Sequence, residues 1–439
     1  MSKITFLGAG STIFAKNVLG DCMLIPGMED FEFALYDIDE QRLRDSENML
    51  NHLRKTLNNK IQVKAYRDRK EALRGAKYVV NAIQVGGYDP CTITDFEVPK
   101  KYGLRQTIGD TLGVGGIFRT LRTIPVMLDF AKDIREVCPD AWFLNYTNPM
   151  APLTGAMLRY GGVKTVGLCH SVQVCADHLL GSLGMEKDNI QQKIAGINHM
   201  AWLLEITRDG EDLYPEIKKR AREKQKEKHD DMVRFEMMFR FGYYVTESSE
   251  HNAEYLPYFI KSQYPDLIDR YNIPLDEYPR RCINQIEDWN KMREEVVSNQ
   301  NLSHERTHEY GSYIIEAMET GNPYKIGGNV LNTGGLISNL PEKAVVEVPC
   351  LVDRNGVTPT YVGDLPEQLA ALNRTNINPQ LLSIEAAVSG DREKLYQSAL
   401  LDPHTSAELS MDDTVALCDD LIEAHGDWLP QFNGRTVSL

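Results

Sequence analysis

Over the first 200 residues short apolar runs alternate with amphipathic stretches, and each run is followed by a turn or a helix start. The runs predict strands at Ile4 to Leu7, Phe31 to Tyr36, Ile61 to Ala65, Tyr78 to Ile83, Trp142 to Tyr146 and Thr165 to Leu168. Such βαβ alternation packs helices on both faces of a parallel sheet. After Gly196 the pattern changes to long helical segments, Lys218 to Phe241 and Ile283 to Asn299, and then to strand-rich text around Ala344 to Leu351. Apolar residues recur at helical spacing over Pro366 to Ala387, Arg392 to Leu401 and Met411 to His425. The expected class is therefore α/β, with a doubly wound parallel sheet over residues 1–195 and an α+β unit over 196–439. Asn433 to Leu439 reads as a disordered tail or a cloning remnant.

Composition narrows the function classes. A chain of 439 residues with 42% hydrophobic and 25% charged residues has the make-up of a globular enzyme. A net charge of −15 opposes a nucleic-acid backbone, and the basic run Lys218 to Lys228 is broken by Glu223 and Glu227, as on a solvated helix face. The eight cysteines are scattered without a CxxC pair, which points to reduced thiols and a cytoplasmic setting rather than a disulfide framework. Neither a leader-like start nor a run of membrane-spanning length is present in the sequence, so neither secretion nor membrane insertion is expected.

Gly8-Ala9-Gly10-Ser11 follows the first predicted strand and opens a helix running through Phe14 to Leu24. Gly8 suits the tight turn of a Rossmann dinucleotide site, Gly10 the close approach of a pyrophosphate, and Ser11 leads into free helix N–H groups. The third glycine of GxGxxG falls at Ile13 and is missing. Asp37, at the end of the second strand, is placed for a ribose diol and favours NAD over NADP. Asn81 and Gly86 end a further strand beside the expected nicotinamide ribose, and Asn145 to Pro149 ends another. These segments share the carboxyl edge of the sheet, where open α/β folds bind ligands.

Cys169 stands at a strand end, and His199 lies 30 residues beyond it. A thiolate and an imidazole converging on one point bind a divalent ion and leave positions for substrate oxygens, although a buried cysteine near a core histidine has the same sequence signature. Asp110, in the glycine-rich loop Gln106 to Gly116, is a candidate for acid–base work. The segment Gly242 to Glu254 is dense in titratable groups. His304 and His308, i and i+4, read as surface positions on one helical face, and His404 and His425 receive no role.

From Phe6 to Ser11 through Leu144 to Pro149, Cys169-His170-Ser171, Asn198-His199 and Asn373 to Asn376, the chain resembles the NAD- and manganese-dependent glycosidases of glycoside hydrolase family 4. The resemblance runs over nearly the whole length, and Cys-His-Ser is similar to the α-galactosidase branch. It implies a Rossmann domain joined to a C-terminal domain of the lactate/malate dehydrogenase type, NAD and Mn2+ or another divalent metal as cofactors, and a homodimer or homotetramer. It implies Cys169 and His199 as metal ligands, Asn148 as a sugar contact, His170 as proton donor to the leaving group and Asp110 as a group tuning the base. The implied chemistry is hydride transfer from C3 of the galactosyl ring to NAD, loss of the C2 proton, elimination at C1, addition of water and return of the hydride.

The resemblance does not fix the base. Ser248 aligns where a tyrosine stands in relatives acting on phosphorylated sugars, and Tyr244, Glu247, Glu250 and His251 are the alternatives. Val85 to Cys91 carries no cation to clamp a sugar phosphate, so an unphosphorylated galactoside of the melibiose or raffinose type is expected. The rival readings are an α-galacturonidase, for which Arg280 and Arg281 are available, an α-glucosidase, a simple NAD-dependent dehydrogenase and a non-catalytic NAD-sensing module.

Overall fold

In the computed structural model, which describes residues 2–432, the N-terminal apolar runs become parallel strands within a residue or two of the predicted bounds. They are β1 (Lys3–Leu7), β2 (Glu32–Tyr36), β3 (Gln62–Tyr66), β4 (Ala76–Asn81), β5 (Trp142–Asn145) and β6 (Lys164–Leu168). Their spatial order is β3-β2-β1-β4-β5-β6, the doubly wound arrangement whose ligand crevice lies at the strand carboxyl ends. Strand interiors such as Phe33 to Leu35 and Tyr78 to Val80 are buried because helices cover both faces.

The remaining strands continue the same sheet. These are β7 (Ile190–Ile197), β8 (Met200–Arg208), β9 (Glu211–Asp212), β10 (Tyr244–Val245), β11 (Tyr324–Leu331), β12 (Val345–Asp353) and β13 (Gly356–Pro359). The path runs on from β6 through β11, β12, β7 and β8 to β10, all by antiparallel pairing. The expected division at residue 195 falls inside β7. One apolar core joins Phe6 and Val166 to Trp202, Tyr255 and Val346, so both halves share it. On the other side Phe118, Leu121 and Phe143 pack with Leu395, Leu417 and Leu421 of the C-terminal helices.

Two expectations are corrected. The segment Lys218 to Phe241 is not one helix but two, Tyr214–Lys224 and Met232–Phe241. Residues 224–231 are all polar, so no apolar stripe there holds a helix to the core. His304 and His308 do not share a helical face; both lie in the irregular stretch before the helix Tyr310–Thr320. The His304 side chain is buried, its Nε2 2.7 Å from Asp21 Oδ1, because the loop folds back onto the first helix.

Candidate active site

At the first strand's carboxyl end the chain turns so tightly that Gly8 adopts φ +85°, and a Cβ there would lie 2.6 Å from the Ala82 carbonyl oxygen. The amides of Gly8 and Ala9 both donate to the Tyr36 carbonyl, which locks the turn against β2. Gly10 N–H donates to Asp37 Oδ2 at 2.6 Å, and a Cβ at Gly10 would stand 2.7 Å from that oxygen. Ser11 Oγ donates to the Gly8 carbonyl, and no side chain caps the helix Thr12–Met23 that follows. Its N-terminal amides thus face the crevice as an anion site. Ile13 is 40% exposed, so its side chain does not press on the sheet and the absent third glycine is not required.

Asn81 is fully buried, and its Nδ2 donates to Asn145 Oδ1 and Thr147 Oγ1, so it joins the ends of β4 and β5. Gly86, at φ +79°, would place a Cβ 2.2 Å from Cys91 Sγ and is fixed by that packing. Asn148 presents a buried Oδ1 without a partner among the described residues, while its carbonyl accepts from Arg119 Nε. An unpaired buried amide oxygen beside the crevice suits a ligand hydroxyl.

Cys169 follows β6 directly and precedes the helix His170–Ser182, and His199 lies in the two-residue turn joining β7 to β8. β10 pairs with Trp202 and Leu203 of β8, and Thr246 exchanges hydrogen bonds with Ala201, which brings Glu247 to the same turn. The ligand atoms of Cys169, His199 and Glu247 all lie within 4.8 Å of one another. His199 and Glu247 have φ of +62° and +64°, a costly conformation for residues with a Cβ that is characteristic of functional sites. His199 Nδ1 is 2.9 Å from the Tyr255 hydroxyl, which turns Nε2 toward Glu247 Oε2 at 3.3 Å.

The electrostatics of this cluster favour a cation. Burial disfavours a charged imidazole, yet the Cys169 sulfur, by charge and hydrogen bond, and the Glu247 carboxylate outweigh it and lift the His199 pKa to about 10. Burial also opposes the Glu247 carboxylate, but His199 and His251 bring its pKa down to about 2. Sulfur, nitrogen and carboxylate donors at this spacing fit a divalent ion, which takes the place of the proton and leaves Nδ1 to bond Tyr255.

The structure gathers some of the expected acid–base residues and not others. His170 Nε2 lies 2.6 Å from Glu309 Oε2, and its half-exposed ring borders a 520 Å³ groove also lined by Gln173, Tyr313, Tyr324 and Lys325. Asp110 is buried, and its Oδ1 accepts from Thr111 Oγ1. His251 Nδ1 lies 2.6 Å from Ser248 Oγ, and its ring stands 5.0 Å from that of His199; burial lowers its pKa. Tyr244 is not brought to the cluster: it is fully buried and donates to Asp231 Oδ2 under the Arg234 guanidinium. Glu250 is ion-paired with Arg281.

Sequence reasoning missed Tyr255 and Arg119 and did not bring Glu247 to Cys169 and His199; only the acidic density of 247–254 signalled the last. Glu254, buried, accepts from the amides of Thr107, Ile108 and Gly109 and so holds the loop that carries Asp110. His404 and His425 are buried, each donating through Nε2, to the Arg105 carbonyl and to Asp95 respectively.

Known proteins resemble this chain over nearly its whole length. The chain is 69% identical to an alpha-galactosidase of Bacillus subtilis over 432 residues, 98% of this chain and all of that one. It superposes on a 6-phospho-alpha-glucosidase from gut microorganisms, solved in complex with NAD and Mn2+, with a TM-score of 0.80 at 21% identity, covering 98% and 99% of the chains. The fold extends to malate dehydrogenase of Plasmodium falciparum, with a TM-score of 0.51 at 12% identity over 90% of this chain and 100% of that one. Residues 3–185 match the model of the family 4 glycosyl hydrolases and residues 194–405 that of their C-terminal domain, and the chain belongs to this family.

Proposed function

We propose that the protein is an NAD- and divalent-metal-dependent α-galactosidase. The observation that carries this reading is the placement of an uncapped glycine turn and a thiol–imidazole–carboxylate cluster along one carboxyl edge, from β1 through β4 and β5 to β6. A glycosidase working through two opposed carboxylates has no use for either. When bound, NAD accepts and returns a hydride, and the ion polarises sugar oxygens. Gly8, Gly10 and Ser11 then receive the pyrophosphate, Asp37 the ribose and Asn81 and Gly86 shape the nicotinamide end, while Cys169, His199 and Glu247 hold the ion.

Asn148 contacts the sugar through its unpaired Oδ1, and His170, steadied by Glu309, protonates the departing oxygen. Tyr244 and Glu250 are committed to Asp231 and Arg281, and Glu247 to the ion, which leaves His251 with Ser248 as the base, tuned by Asp110. A neutral galactoside suits the site better than a uronate, since Arg280 and Arg281 are already paired with Glu277 and Glu250. Eight free, buried cysteines suit a reducing cytoplasm, and no helix among the described residues is long and apolar enough to cross a membrane. Ile283 and Ile286, about two-fifths exposed one turn apart, offer apolar area for a homodimer or homotetramer.

The test is release of p-nitrophenol from its α-galactoside by protein stripped of metal and nucleotide. Activity is expected only with NAD+, Mn2+ and a thiol reductant together, with no accumulation of NADH; turnover without NAD+ would sink the mechanism. Asp37→Ala is expected to weaken NAD+ about tenfold, from loss of hydrogen bonds to a charged group, and to narrow the preference over NADP+. Unchanged affinity in a fluorescence titration would remove Asp37 from the nucleotide site.

A further inference from the structure

The cluster has a frame that neither motif reveals. Across four strands Gly167 of β6 is opposite Asn329 of β11, Asn329 is opposite Glu347 of β12, and Glu347 is opposite Gly196 of β7. β12 meets β7 at this one pair, and β11 meets β6 only here and at the neighbouring Gly328–Leu168 pair, so the row is where the two halves of the sheet are joined. Cross-strand partners face the same side of a sheet, so the Asn329 and Glu347 side chains lie together.

Glu347 Oε1 accepts from Asn329 Nδ2 at 2.9 Å and from Asn198 Nδ2 at 3.4 Å. Asn329 Nδ2 also reaches the Gly167 carbonyl at 3.3 Å, and Asn198 is the residue before His199. One carboxylate oxygen therefore connects the strand that ends in Cys169 with the turn that carries His199. The flanking glycines make room: a Cβ at Gly167 would lie 2.5 Å from Thr154 Oγ1 and 2.9 Å from Asn329 Cβ, and one at Gly196 would lie 2.7 Å from Ala201 Cα. Asn198, Asn329 and Glu347 are each at most 1% exposed, so water does not satisfy their polar groups.

We propose that Glu347, acting through Asn329 and Asn198, is a positioning residue that sets the separation of Cys169 and His199 and thereby the affinity of the divalent-ion site. The inference rests on the assignment of that site to Cys169 and His199. Outer partners of metal ligands contribute about 10–100-fold in affinity by holding the ligands in the binding geometry.

The test measures Mn2+ dissociation by electron paramagnetic resonance of the free ion, with NAD+ affinity measured separately, on full-length Glu347→Ala, Glu347→Gln, Asn329→Ala and Cys169→Ser. Glu347→Ala and Asn329→Ala are expected to bind Mn2+ about tenfold more weakly with NAD+ affinity within about twofold of wild type. Glu347→Gln, whose carbonyl still accepts from both amides, is expected to stay within about threefold. If Glu347→Ala does not fold, Asn329→Ala carries the test, since it severs the arm to β6 and leaves Glu347 in place. Mn2+ affinity within twofold of wild type in Asn329→Ala, a parallel loss of NAD+ binding, or a loss in Glu347→Gln equal to that in Glu347→Ala would overturn the proposal. Undiminished Mn2+ binding by Cys169→Ser would instead overturn the site assignment beneath it.

Discussion

Cys169→Ser is expected to lower kcat/KM for an α-galactoside by about 10³-fold, close to 4 kcal/mol of transition-state stabilisation, while leaving the fold intact. Serine matches the size of the thiol, and Ser171 Oγ, 3.1 Å from Cys169 Sγ, remains a hydrogen-bond partner, so the melting temperature should move by no more than about 2 °C. A serine hydroxyl is a poor ligand for a divalent ion, so the loss should appear as weakened Mn2+ binding. NAD+ affinity should hold, because β4 and β5 separate β6 from the β1 turn at Gly8. Calorimetry of Mn2+ binding with the kinetics decides the matter: wild-type affinity together with lost activity would move Cys169 from ion binding to some other role.

The pairing of Cys169 with His199 could be proposed from sequence but not placed, and the reason lies in the topology. Two strands, β11 and β12, stand between β6 and β7 in the sheet, and they come from residues 324–353, far along the chain. The N-terminal half was legible because most of its strands are short, largely apolar runs, and β1, β2, β4 and β5 end in a glycine, acidic or amide turn. The glycine turn after β1 is local as well, built from Gly8 to Ser11 and closed by Asp37.

What sequence could not supply are contacts between residues distant along the chain. Tyr255 orients His199 across 56 residues, and Glu347 reaches Asn198 across 149. Tyr244 shows the opposite failure. Its neighbours in sequence are titratable, but it lies in a β strand, where its ring packs with Phe235 and Tyr214 and its hydroxyl donates to Asp231. Glu247, three residues on and in the left-handed region, turns the other way. The left-handed backbone at Glu247, not proximity in sequence, separates the buried Tyr244 from the carboxylate that faces Cys169 and His199.

A second large effect is expected far from the ion. Arg122, 2% exposed, donates through Nη1 and Nη2 to the two oxygens of Asp95 at 3.1 and 2.6 Å and through Nε to the Val85 carbonyl at 3.1 Å. His425 Nε2 lies 2.9 Å from Asp95 Oδ1, so one buried group ties the helices Ile93–Lys100, Gly113–Val137 and Met411–His425 to the loop before Gly86. Arg122→Ala leaves Asp95 buried beside an empty volume, and breaking a buried pair from one side costs about 3–5 kcal/mol. A protein holding only about 5–15 kcal/mol would lose much of its stability, read as a lower urea midpoint. Arg122→Met with Asp95→Asn should recover part of that loss, because the uncompensated charge is gone; a single variant within about 1 kcal/mol of wild type would show that the pair is not a fastening. NAD+ affinity should fall with the midpoint, since the same guanidinium anchors the Val85 carbonyl beside Gly86, which is proposed to shape the nicotinamide end. Stability and cofactor binding then share one buried ion pair, whereas the ion site depends on the Glu347 row across the sheet.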